Sequence, residues 1–229
     1  MIRVLVLIAV AGFFVSVISL GGAAALGGYN LQKSGWSFPI TWDWEADEGG
    51  REIDWSGPDT TRTVDWEGAE DLNLVLPAEV TFTQGATPSL VISGPRDAVD
   101  AVMVNGGDIT LRGRTRAKVS MSGLDVDVEG LDNLRRLKVA IVAPNVRSIS
   151  ASAATNLTVN GVQREDFELR ARAGSDVTAH VDVDRLDLEV SSAADAVVDG
   201  RADRLEVEVH SGGDARLDKL AVIDATVEA

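Results

Sequence analysis

From Val146 towards the carboxyl end, apolar and charged residues alternate with a period of two, and the alternation returns as near-copies of one phrase. FELRARAGSDV opens at Phe167, LDLEVSSAADA at Leu186 and LEVEVHSGGDA at Leu205, so successive copies stand at one fixed interval of nineteen positions. A period of two predicts strands and excludes an amphipathic helix here. Leu186, Leu188 and Val190 share one face, while Asp187 and Glu189 take the other. Leu205, Val207 and Val209 repeat the inner face with Glu206 and Glu208 outside, as do Phe167, Leu169 and Ala171 with Glu168, Arg170 and Arg172 outside. Ile149 aligns with Leu188 at twice that interval plus one position, so a further copy begins near Val146 with a one-residue irregularity, and Ala225 and Val227 begin a last strand. A unit this short cannot bury its own apolar face and must stack on its neighbours. The pattern therefore predicts an all-β solenoid with coils of about 19 residues.

Each copy carries a polar residue at one recurrent place: Asn156, Asp176, Asp195 and Asp214. Stacked in register, these side chains would lie about 4.8 Å apart, close enough for carboxylates to repel or to recruit a cation such as calcium. Asp176, Asp195 and Asp214 are thus the candidate metal ligands. The competing assignment makes them corner residues beside the small Gly174, Ala194, Gly212 and Gly213, because Asp and Asn satisfy turn backbones.

Upstream, Arg112, Arg114, Arg116 and Lys118 alternate on one strand, and Asp125, Asp127 and Glu129 on the next. A hairpin turning at Met121 and Ser122 would pair Lys118 with Asp125, Arg116 with Asp127 and Arg114 with Glu129; a turn at Ser122 and Gly123 also keeps opposite signs facing. The basic strand is alternatively a patch for an anionic glycan or acidic partner.

The amino terminus has a different pattern. No charge occurs from Val4 until Lys33, and Val4 to Gly28 is long enough, as a helix, to cross about 30 Å of hydrocarbon. The length of the run favours a retained transmembrane helix; the small residues Ala23, Ala24 and Ala25 favour a signal peptide cleaved near Ala25. In both cases Arg3 stays inside and the rest is exported. All five tryptophans, Trp36, Trp42, Trp44, Trp55 and Trp66, follow directly, in a segment where ten acidic residues between Tyr29 and Glu70 outnumber Lys33, Arg51 and Arg62. This reads as an acidic, tryptophan-rich linker or cap, with Trp55 and Trp66 placed to cover the first coil. The expected organisation is residues 1–28 as anchor or signal, 29–62 as linker or cap, and 63–229 as the β domain.

Composition narrows the function. The formal charge of −15 opposes nucleic acid as a partner. The absence of cysteine excludes disulfides, thiolate chemistry and zinc-thiolate sites. The only histidines, His180 and His210, occupy unequal positions in different copies, and no nucleophile–histidine–acid set or glycine-rich phosphate loop occurs. No cofactor is expected. Carboxylates alone can cleave sugars, so Asp176, Asp195 and Asp214 with Arg172 or Arg216 form the one imitation of an active site.

The stretch from Val64 to Gly113 resembles the opening of the head-GIN domain family, the heads of autotransporter adhesins. The resemblance is carried by AEVTFTQG, SLVISGP, DAVDAVMVNGG and DITLRG, and further along by APNVRSISASAATNLTV and the repeated GSD, AAD and GGD turns, covering residues from about 64 to 223. It implies a right-handed, single-stranded β-helix in a cell-envelope protein. A translocator barrel would need at least eight strands with aromatic girdles. Only Phe82 and Phe167 are aromatic after Trp66, so these residues hold none. The expectation is a non-catalytic envelope module presenting a β-helix surface for adhesion, scaffolding or partner recognition. The alternatives are a calcium- or glycan-binding solenoid and a polysaccharide-active enzyme.

Overall fold

A computed structural model of the protein describes residues 53–113, 118–122, 125–129 and 136–228, with the backbone alone for the two strands within 118–129. The expected membrane or signal segment 1–28, Arg114 and Arg116 lie outside these residues. Among the described residues no helix is long and apolar enough to cross a membrane.

The larger unit is almost entirely β and forms one curled sheet of twelve strands. Its first part contains β1 (Asp59–Val64), β2 (Asp71–Val75), β3 (Glu79–Gln84) and β4 (Ser89–Pro95). One turn and a half of helix, α1 (Arg96–Ala101), leads into β5 (Val102–Asn105) and β6 (Asp108–Leu111). After β7 (Lys118–Ser122) and β8 (Asp125–Glu129), described below, the sheet resumes with β9 (Lys138–Ala143) and β10 (Ser148–Ser152). Four long strands complete it: β11 (Asn156–Ala171), β12 (Asp176–Val190), β13 (Asp195–Val209) and β14 (Asp214–Glu228).

The long strands pair in parallel at the interval read from the sequence. Phe167 faces Leu186 and Leu186 faces Leu205, both at that step, and Ile149 faces Leu169, which faces Leu188. The one-residue irregularity is a bulge: Val159 faces Ala179 but Val162 faces Val181, leaving Asn160 and Gly161 to turn outward. A second bulge near Leu217 and Asp218 lengthens the last step by one position, with Val207 facing Val227. β11 is the seam of the sheet. Its first residues pair with β3 and its last with β10, so two short strands abut one long one.

The strands run further than the copied phrases suggested. In β12, Val177, Ala179, Val181 and Val183 point inward, Asp184 and Arg185 both face solvent, and Leu186, Leu188 and Val190 point inward again. The two adjacent exposed residues mark a corner where the alternation changes phase. Asn156, Asp176, Asp195 and Asp214 are not turn residues but the first, exposed residues of their strands. The turns precede them, each through two consecutive left-handed residues: Ala153–Ala154, Ala173–Gly174, Ser192–Ala193 and Ser211–Gly212, with φ between 50° and 78°. Two such residues reverse the chain within four positions, and small side chains limit the steric cost.

The core is a continuous stack of aliphatic residues with Phe82 and Phe167 as its largest members. Trp55 is buried in it and Trp66 packs against it, its indole donating to the Gly106 carbonyl at 2.8 Å. Thr155 and Ser175 are the buried polar residues recorded among the described ones, and both are satisfied: Thr155 Oγ1 donates to the Leu76 carbonyl at 2.7 Å, and Ser175 Oγ to that of Ala151 at 3.1 Å.

The second unit contains the β7–β8 hairpin, antiparallel as expected but in another register. Lys118 faces Glu129 and Ser122 faces Asp125, instead of the pairings set by a turn at Met121 and Ser122 or at Ser122 and Gly123. All three registers keep apolar residues opposite apolar ones, and exposed ion pairs are worth only about 0–1 kcal/mol each, so neither feature selects among them.

Candidate functional site

Because the inner face is filled by the core, recognition falls to outward side chains, and strand pairing arranges these into columns across the sheet. The candidate metal ladder is one such column: Glu79, Asn156, Asp176, Asp195 and Asp214 follow one another in register. The in-register stacking is as expected. The column is tied at its ends by ordinary ion pairs, Glu79 with Lys138 at 3.2 Å and Asp214 with Arg216 at 3.3 Å. Among the described residues no group of three or more His, Asp or Glu side chains is placed to hold a metal ion.

The histidines sit apart. His180 on β12 contacts the Asp199 carboxylate on β13, while His210, just beyond β13, lies 3.7 Å from Glu208. Both are exposed, and their recorded partners are carboxylates rather than hydroxyls that could act as nucleophiles.

A second set of columns crosses β10 to β13 and carries an ion-pair network. Glu189 accepts from Arg172 at 2.5 Å and lies 3.4 Å from Arg170, which also holds Glu168. The hydrogen bond from Arg172 holds the Glu189 carboxyl below the usual carboxylate range, against the opposing effect of its partial burial. Of the two arginines imagined beside the aspartate ladder as an active site, Arg172 is thus engaged with Glu189 and Arg216 with a single aspartate.

Where this network meets β10, the outer face dips into a trough with a cavity volume of about 420 Å³. Its floor is Ser148 and Ser150. Pairing sets Ser148 between Asp71 of β2 and Glu168 of β11, and Ser150 between Asn73 and Arg170. Asp108 of β6 stands beyond Asn73 and accepts its amide at 3.0 Å. The trough exists because short serines alternate in β10 between strands bearing longer side chains. The sequence carries that signal as SISAS, but nothing in it tells which strands flank β10, and β2 lies far upstream with seven strands in between.

The sheet belongs to a fold that known proteins share. Residues 70–229 match the family model described as "Putative auto-transporter adhesin, head GIN domain". The chain belongs to this family. Solved structures with the same fold include a "putative adhesin" from Bacteroides fragilis NCTC 9343, 16% identical, covering 75% of this chain and 76% of that one with a TM-score of 0.62. Another, from Parabacteroides distasonis ATCC 8503, is 17% identical over 77% and 80% of the two chains with a TM-score of 0.57. A "putative lipid binding protein" from the same organism is 15% identical over the same shares, at 0.53. At these identities the likeness is one of fold. No curated protein matches the sequence.

Proposed function

We propose that this head-GIN chain is a non-catalytic module of the cell envelope that presents the outer face of a right-handed, single-stranded β-helix to a surface partner, for adhesion or scaffolding. The observation that carries the proposal is the family match over 70–229, since relatives of this fold are described as adhesins. The β-helix reading is supported by four consecutive long strands in parallel at a near-constant step, and by the right-handed preference of parallel crossovers. Export is supported by the uncharged run from Val4 to Gly28, which serves as anchor or signal. The acidic segment that begins at residue 29 then leads from the membrane to the β domain, to which Trp55 and β1 already belong.

The test combines location with retention. Protease added to intact and permeabilised cells should reach the β domain from the outside or the periplasm only, and the size of the surviving product should separate an anchor from a signal cleaved near Ala25. Full-length chain in detergent should bind washed envelope fragments saturably; a chain that stays in the supernatant at every concentration would refute recognition. An acidic polysaccharide incubated with it should yield no new reducing ends. The calcium reading keeps one supporting observation, the stacking of Asp176, Asp195 and Asp214, and a melting temperature unmoved by calcium discards it.

A further inference from the structure

We infer that the serine-floored trough is the contact point for an amine-bearing sugar unit, such as a glucosamine residue of an envelope glycan. This rests on the recognition reading above and names its ligand class. The trough is an open concavity, and about 420 Å³ leaves room for a sugar unit laid along it.

The lining chemistry selects the ligand. The floor offers two hydroxyls, and Leu72, the one large apolar residue of the lining, is itself buried in the core, so a lipid tail or aromatic ring has little to bury against. Hydroxyls, carboxylates and an amide instead stand about 4.8 Å apart across strands and about 7 Å apart along them, a grid of hydrogen-bonding groups suited to a polyhydroxyl ligand. Three carboxylates, Asp71, Asp108 and Glu168, face a single guanidinium. That guanidinium, Arg170, is already held by Glu168 and Glu189, whereas the Asp71 carboxylate has no hydrogen-bond or ion-pair partner among the described residues. The site is therefore negative with an acceptor to spare. It repels uronic or sialic acids and favours a protonated amine beside hydroxyls.

The trough is also rigid. Gly107, in the β5–β6 turn, is pressed so closely on β2 that an added Cβ would collide with the Asp71 carbonyl oxygen, and its own carbonyl accepts from Asn73 N at 2.9 Å. This contact holds Asp71 and Asp108 at one end of the floor. A preformed site on strands loses little freedom on binding.

The test is calorimetric titration of the full-length chain, in detergent micelles, with glucosamine trimer, N-acetylglucosamine trimer and galacturonic acid trimer. Glucosamine trimer should bind, the acetylated trimer about tenfold or more weakly, and the acidic trimer not at all. Asp71→Asn should weaken glucosamine trimer binding by about tenfold. Ser150→Tyr, which fills the floor with a residue suited to strands, should abolish binding while the thermal melt is unchanged. No heat with glucosamine trimer, equal affinity for the acetylated form, or full binding by either variant would overturn the assignment. Retention on envelope fragments without glucosamine binding would sink this inference and leave the recognition reading standing. Glucosamine binding by a chain that envelopes do not retain would do the reverse.

Discussion

Strands β11 to β14 are 15 or 16 residues long and pair with one another only in parallel, whereas β1 to β6, β9 and β10 are shorter and mix parallel with antiparallel pairing. The side-chain bonds differ in the same way. In the short-strand region, arginines and a tryptophan reach distant main-chain carbonyls: Arg62 to Val102 at 2.7 Å, Arg136 to Trp55 at 2.7 Å and Trp66 to Gly106. Beyond β11 most such bonds join side chains on the same or the adjacent strand, as Arg172 to Glu189 and Arg201 to Asp203. Where every long strand meets a similar neighbour, the ladder itself satisfies the backbone. Where strands change direction, carbonyls are left that only a long side chain from elsewhere can satisfy.

The largest expected effect separates the two regions directly. Removing Asp176–Ala194, strand β12 with the turn that follows it, joins Ser175 to Asp195 and lets β11 pair with β13 in the register it had with β12. That protein should still unfold cooperatively in urea, with a smaller slope because less surface is exposed. Removing an equal length from the other region, Glu79–Asp97, deletes β3 and β4 and should abolish the cooperative transition. Equal tolerance of both deletions would erase the distinction.

Gly200 tests how tightly neighbouring long strands are paired. Its φ is +107° and an added Cβ would collide with the Val181 carbonyl oxygen on the preceding strand, so Gly200→Ala must push β12 and β13 apart. Chemical denaturation should report a loss of about 2–4 kcal/mol, the scale of backbone strain combined with lost packing. No loss would mean that the two strands separate there without cost.

A smaller effect comes from charge. Because Arg172 depresses the Glu189 pKa in the folded state, this pair contributes stability above the unfolded-state pKa of about 4.3, and the contribution disappears as pH falls through the lower folded-state value. Glu189→Gln should therefore cost about 0–1 kcal/mol at pH 7 and nothing near pH 2, with thermal melts at both pH values as the measurement. A constant deficit would assign the loss to packing.

The smallest change is at the turns. Ala193 has φ 59°, and Ala193→Gly relieves a left-handed residue while adding freedom to the unfolded chain. These terms nearly cancel, leaving a gain of about 0–1 kcal/mol. A clear loss would show that the Ala193 methyl packs.

Sequence reasoning reached furthest in the repeated region because the signal there is local and redundant. Leu169, Leu188 and Val207 declare the same inward face three times, and the interval between them is the pairing register. It reached least into the short-strand region. There β2 lies beside β10 and β1 beside β4 without any residue in those strands repeating another, so partner choice leaves no periodic trace. The hairpin shows a related limit: alternating charges on β7 and β8 predicted antiparallel neighbours, yet several registers satisfy those charges, and the one adopted pairs Lys118 with Glu129. The aspartate column was visible as spacing, whereas the trough was not, because its walls come from strands far apart in the chain.

The order of residues alone thus determined that the distal chain forms paired strands, which side chains face inward, and the step shared by β11, β12 and β13, since these follow from alternation and identity between copies. Only the tertiary structure decided that the aspartates begin strands instead of turning them, that β11 joins two differently built regions, and that Ser148 and Ser150 floor a trough between Asp71 and Arg170. Alternation is written into each strand by its own residues, but which strand lies alongside is a property of the whole sheet, settled by the closure of the core and the satisfaction of every backbone group.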